Sequence, residues 1–218
     1  MKSKVTSGPA VEPITLTELK ASLRVTSTAE DTLLTQYITD AREMVERITS
    51  RKLINQTLIG YAKTFDRQDN GDDAWWEGYR MGPMSLLTGK LSHIEFDHGP
   101  VSSITSVYYV DLYNAETLYD SANYYLEGYD NDLLPRMVFN SNAHAPGSLR
   151  FGDPWKLTYV AGYGASAANV PADIRRAIIM LAGHLWGNRG ACGGATQCAD
   201  ECGASGLLSR YKLKYALS

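Results

Sequence analysis

The amino-acid sequence predicts an α+β fold in which N-terminal helices and a C-terminal helix pack as a small bundle, with an antiparallel β-rich insertion between them. Three observations carry this expectation. Apolar residues recur at three- and four-residue steps from Leu33 to Ile48, and the same spacing returns after Pro171. The stretch between, about 54–163, is broken into short runs of β-branched and aromatic residues separated by turn formers. A chain of 218 residues, 44% hydrophobic, can bury a substantial core. It is read as one domain over 1–218: helical at 13–52 and 170–190, β-rich at 54–163, with a flexible linker and docking tail over 190–218.

The elements follow in order. Thr15 stands three residues before Glu18, the spacing of a capping box, and opens a short helix over about 16–23. Thr28-Ala29-Glu30-Asp31 repeats the start signal. Beyond it Leu33, Leu34, Tyr37, Ile38, Ala41, Met44, Val45 and Ile48 form the apolar face of about five helical turns. The opposite face carries Asp40, Arg42, Glu43, Glu46 and Arg47, with Glu43 and Arg47 spaced for a pair worth about 0.3 kcal/mol. That face reads either as solvated or as a polar contact between subunits.

Strands are expected at 56–62, 103–110, 124–127, 137–139 and 156–160. Between the first two lies the acidic stretch Asp66 to Gly82, containing Trp75-Trp76 and no regular period; it reads as a protruding loop or extended hairpin. Two adjacent tryptophans are costly to leave in water, so they fold back on the sheet or are covered by a neighbouring molecule. Pro171 and Asp173 suit the first turn of the last helix, whose stripe is Ile174, Ala177, Ile178, Leu181 and Leu185. Gly183 and Gly187 inside it cost about 1 kcal/mol each relative to alanine and suggest close packing. After it, Gly190 to Gly206 is small-residue and cysteine-bearing, and Leu207 to Leu217 is again apolar and basic, suited to docking.

Composition narrows the function. A net charge of −3 and a pI near 5.8 argue against a protein whose main task is gripping nucleic acid. No apolar run reaches the roughly 20 residues that cross a bilayer, and the N-terminal stretch lacks the apolar core of a secretory signal, so a soluble cytosolic product is expected. Cys192, Cys198 and Cys202 fit neither a disulfide framework nor paired zinc ligands; reduced thiols are expected. There is no phosphate-loop, H-E-x-x-H or G-x-S-x-G pattern. His93, His98, His144 and His184 are scattered, and His184 with Cys198 and Cys202 makes a poor metal set. Asp72, Asp73 and Glu77 lack the spaced oxygens of a calcium loop. No catalysis, cofactor or metal is expected.

An ordered set of residues then points further. Pro13-Ile14-Thr15-Leu16, Glu18, Lys20, Leu23-Arg24-Val25, Glu30-Asp31, Leu33-Leu34, Ile38, Ala41-Arg42, Val45-Glu46, Thr49, Arg51 and Gln56-Thr57 resemble the opening of phage head-tail connector (adaptor) proteins, the gp6-like connectors and their longer gp8-type relatives. The resemblance continues in Pro100 to Val107 with Tyr109-Val110-Asp111, in Val160-Ala161-Gly162-Tyr163-Gly164, and in Val170-Pro171, Asp173-Ile174, Ala177-Ile178, Leu181, His184-Leu185 and Asn188-Arg189. It spans about 13–189; the acidic loop near 66–90 and the cysteine-bearing stretch near 190–205 depart from it.

The resemblance implies a structural virion protein of the neck: a ring of about twelve copies below the portal, joining the DNA-filled head to the tail and letting DNA pass without sequence-specific binding. Its implied partners are further copies of itself, the portal protein, and a tail or stopper protein. Arg42, Glu46, Arg175 and Arg176 are the candidates for contacts between neighbours. Leu207, Leu208, Tyr211, Leu213 and Tyr215 are the candidate apolar anchors on the portal, with Arg210, Lys212 and Lys214 meeting its acidic surface. Trp75 and Trp76 are candidates for a partner-contacting loop. Another neck or tail-completion (stopper) ring protein stands as the alternative.

Overall fold

The computed structural model of the chain describes residues 1–62, 93–128, 134–140, 146, 149–150, 152–188 and 194–213. Its helices are α1 (Leu16–Leu23), α2 (Asp31–Thr49), α3 (Ala172–Asn188), α4 (Ala195–Glu201) and α5 (Ala204–Leu208). Its strands are β1 (Lys2–Ser7), β2 (Gln56–Ala62), β3 (His93–Glu95), β4 (Val101–Val110), β5 (Glu116–Leu118), β6 (Tyr124–Glu127), β7 (Arg136–Phe139) and β8 (Trp155–Ala161). This is the α+β architecture expected, with a helical part and a β-rich insertion.

The capping box forms as its spacing demands. Thr15 Oγ1 accepts from the Glu18 backbone N–H at 3.2 Å, and Glu18 Oε2 accepts from the Thr15 N–H at 2.7 Å. The Thr15 N–H, and after it the Thr15 hydroxyl at 3.0 Å, donate to Glu18 Oε2 and hold the Glu18 carboxyl below its ordinary pKa of 4.5. α2 starts differently from expectation, since its cap residue Glu30 makes no side-chain cap bond. Glu30 Oε2 instead accepts from Trp186 Nε1 at 2.7 Å, tying the start of α2 to the end of α3. Leu34, Ile38, Ala41 and Val45 of α2 and Ile174, Ala177, Ile178 and Leu181 of α3 share one core with Ile14 and Leu19, all nearly inaccessible. Gly183 serves the α1 contact: a Cβ there would lie 3.2 Å from Leu23 Cδ2, whereas one at Gly187 would meet open space.

The strands form two antiparallel sheets, β1-β2-β8-β4-β5 and β3-β7-β6. The period of two along β8 sends Trp155, Leu157, Tyr159 and Ala161 inward, where they meet Leu58, Ala62, Val101, Val107, Ile94, Phe96, Met137 and Phe139 in a second core. Trp155 is fully buried, with Tyr119 at 5.1 Å and Phe139 at 5.3 Å between ring centroids. Its burial removes about 150–250 Å² from water and contributes about 4–6 kcal/mol.

Backbone bonds weld the two cores together at the Ala161-Gly162-Tyr163-Gly164 run. Gly162 N donates to Pro100 O at 2.8 Å, Tyr163 N to Leu53 O at 3.2 Å, and Asn55 N to Gly164 O at 2.9 Å. Gly162 has φ +148, and a Cβ there would lie 2.5 Å from Asn55 N and Ile54 C. Only glycine fits where the two backbones approach this closely.

The segment after α3 is not a linker where it is described. Residues 195–208 form α4 and α5, which bury Cys198, Ala199, Ala204 and Leu208 in the helical core. Their small side chains let these short helices lie close on the bundle. Cys198 is disulfide-bonded and Cys202 is free, so the expectation of reduced thiols fails at Cys198.

Candidate functional site

No group of His, Cys, Asp and Glu that could hold a metal ion occurs among the described residues, and no described helix is long and apolar enough to cross a membrane. His184 Nε2 lies 3.1 Å from Glu201 Oε2. Four surfaces are built by the fold.

The first is the C-terminal segment. Leu208 is fully buried and Leu213 is 9% exposed, both within the subunit. Leu213 N donates to Thr49 O at 3.0 Å, and Arg51 Nε donates to Tyr211 O at 2.5 Å, so the segment is stitched to the end of α2. Leu207 and Tyr211 pack at the edge of the same core. Tyr211 Oη donates to Asp173 Oδ2 at 3.3 Å; burial, and then the Asp173 charge, push its phenol pKa up. What remains outward is Lys212 and Arg210, whose side chain is 72% exposed. Lys214 and Tyr215 lie outside the described residues, as do Trp75 and Trp76.

The second is the polar face of α2. Arg42 and Glu46 are each only 5% exposed. Arg42 Nε donates to Glu12 Oε2 at 2.9 Å and its other nitrogens approach Glu43 at 3.4 Å and Glu46 at 3.6 Å. Glu43 thus pairs with Arg42 rather than with Arg47. Glu46 accepts from Lys52 Nζ at 2.9 Å, Gln56 Nε2 at 2.8 Å and Leu53 N at 3.2 Å. Such a buried carboxylate is stable only because every oxygen is bonded. The network has an intrachain role, turning the chain from α2 into β2. Arg176 is exposed and Arg175 half-buried on α3; Arg175 Nε is buried with no hydrogen-bond partner.

The third is a groove of about 390 Å³ beside β1, lined by Val5, Gly8 and Pro9 and by the polar residues Arg42, Glu43, Glu46, Arg47, Lys52, Gln56 and His98. His98 Nδ1 is buried without a partner. Burial lowers the His98 pKa, outweighing the opposing effect of Asp97 and of the bond to the Ser50 backbone. β1 itself is held by Asp97, which accepts from Ser3 N at 2.9 Å and Ser3 Oγ at 2.8 Å while taking the Tyr159 hydroxyl at 3.1 Å.

The fourth is the β4–β5 hairpin at the opposite edge of the same sheet. Asp111 Oδ1 accepts from Tyr113 N at 2.8 Å and Ala115 N at 2.9 Å, and Asn114 takes the left-handed conformation, φ 64, that the turn requires. This presents Leu112, Tyr113 and Leu118 to solvent at 51%, 89% and 60% exposure. Sequence reasoning ended a strand at Val110 and missed this feature. The signal was there, in Asp111 and Asn114 flanking two apolar residues.

Comparison with known proteins gives two independent likenesses. Residues 13–74 match the family model of the phage gp6-like head-tail connector proteins. Over its full length the chain shares the fold of chains in the neck of an empty gene transfer agent (GTA) particle, computed with C6 symmetry. The identity is 20% and the TM-score 0.72, covering 100% of this chain and 98% of that one. A chain in the virion of a native gene transfer agent particle matches at 18% identity and TM-score 0.70, and one in the neck of a native particle, computed with C12 symmetry, at 19% and 0.66; each covers 100% of this chain and 98% of the other. No curated protein matches the chain.

Proposed function

We propose that this chain is a head-tail connector (adaptor) subunit of a tailed phage or phage-like particle, one copy of a ring in the virion neck that joins the head to the tail and lets DNA pass. The observation that carries the reading is the end-to-end fold likeness to neck chains, with the connector family match falling separately on 13–74. Rings with twelvefold or sixfold symmetry need one repeated, heterologous side-to-side contact, and the two differently built edges of the five-stranded sheet supply surfaces of that kind. The subunit acts by shape and contact, with no catalytic step.

In this reading the portal lies against the end of the molecule that carries Arg210 and Lys212. Leu207, Leu208, Tyr211 and Leu213 hold that end in place from inside the subunit. Arg176 on α3 is the exposed candidate for a polar contact between neighbours, while Arg42 and Glu46 shape the surface from beneath.

Deletion of the gene tests the reading. DNA-filled heads without tails, restored to complete particles by the protein supplied in trans, are expected under the electron microscope. Normal tailed particles in the deletion strain would overturn it, and isolated necks in which the protein sits below a separate portal-bound ring would reassign it to the stopper.

A further inference from the structure

We propose that in the ring the β4–β5 hairpin of each copy docks against the β1 edge and adjoining groove of the next copy, an inference that rests on the connector reading. Among the described residues β1 and β5 are the two outermost strands of one sheet, separated by three intervening strands and hence by about 19 Å. Different surfaces on opposite sides of one rigid element are what a closed heterologous ring requires.

The two edges are unlike in a way that makes them complementary. Natural sheets protect free edges with charge, and β1 does so with Lys2 and Lys4. β5 carries a single charge, Glu116, which is taken up by Lys156 Nζ at 2.7 Å; all three of its residues are exposed, Leu118 among them, and the turn beside it places Leu112 and Tyr113 in water. Tyr113 is the most exposed of the large apolar side chains described. The groove beside β1 has apolar walls at Val5 and Pro9 and about 390 Å³ of room. Charge follows the same division. The groove's own carboxylates, Glu43 and Glu46, are paired with Arg42 and Lys52, which leaves Lys2, Lys4 and Arg47 near β1 with no ion-pair partner among the described residues; Asp111 and Asp120 flank the hairpin with none there either, their carboxylates taking only backbone N–H groups. A second copy of this chain offers the matching shape and the opposite charge at once.

The test uses tail-less, portal-bearing heads of the same virus, to which purified full-length protein is added and neck rings are counted by cryo-electron microscopy. Tyr113→Asp and Leu118→Asp should each lower ring occupancy at least tenfold, with circular dichroism and melting unchanged because both side chains lie in solvent. A Val5→Cys/Thr117→Cys chain treated on assembled necks with a short bismaleimide should give a ladder of covalent multimers absent from the wild type. Wild-type-like rings from both aspartate variants, or a complete ring with no ladder, would overturn the proposal and leave the connector reading standing; rings intact but unable to bind the next neck component would assign the hairpin to that partner instead. Failure of wild-type protein to load on the heads would remove the connector reading and this inference together.

Discussion

Gly162 and His98 show what single side chains decide here. At Gly162 a methyl group would meet two backbone atoms at 2.5 Å in a segment that joins both cores. Gly162→Ala is expected to cost about 2–4 kcal/mol, read as a lower midpoint in urea unfolding. His98 is set in the opposite sense by burial, which favours its neutral form. Its folded pKa lies below the usual 6.5, so the unfolded chain binds the proton first and stability falls as pH drops through the region below 6.5. Groups facing it are Asp97, Lys52, the Ser50 backbone and Glu46; Lys52 adds to the shift, and the two carboxylates and the Ser50 bond oppose it. Melting temperature should therefore decline between pH 7 and pH 5, and His98→Gln should flatten that part of the profile.

The capping box and the C-terminal helices carry separable stability at the scale of elements. Thr15→Ala removes the acceptor for Glu18 N and should cost about 1 kcal/mol. Because the Thr15 N–H and hydroxyl hold the Glu18 pKa down, the stabilisation they give is present above about pH 4.5 and is lost as pH falls through the lower folded value; the variant keeps the N–H, so NMR titration should find the Glu18 pKa rising only part of the way toward 4.5. α5 contributes through Leu208, which is wholly buried. Leu208→Ala should cost about 2–5 kcal/mol, seen in denaturant melts of the isolated protein. A chain ending near Gly206 would lose Leu208, Leu213 and the Arg51–Tyr211 bond together, so weakened portal binding by such a chain would report damage to the fold as much as loss of a contact.

For the whole molecule, the proposed contact with the portal is better probed by charge reversal at residues outside the core. Arg210→Glu with Lys212→Glu should change melting only slightly, since both side chains are exposed and Arg210 makes only a surface contact with Asp173 at 3.8 Å, and should weaken binding to purified portal rings at least tenfold, about 1.4 kcal/mol or more, in a titration at low salt. Raising the salt should narrow the gap between wild type and variant.

Short-range order is what the sequence by itself determined. The helices at 16–23, 31–49 and 172–188 and the strands at 56–62, 101–110, 124–127, 136–139 and 155–161 lie within a few residues of their sequence-predicted bounds, because periodicity, caps and β-branched runs are properties of neighbouring residues. β1 was invisible, since an edge strand with alternating lysines covers no core and leaves no apolar pattern. α4 and α5 were read as a linker, since their buried residues are alanine, cysteine and one leucine, and small side chains mark a close approach only when the partner helix is known. The candidate site divides along the same line. The exposure of Arg176, Arg210 and Lys212 agrees with residue type. The burial of Arg42 and Glu46, the return of Leu208 and Leu213 to their own core, and the presence of two unlike outer strands in one sheet depend on bonds such as Leu213–Thr49 and Gly162–Pro100. Those contacts join residues far apart in the chain, and only the folded arrangement of both cores fixes them.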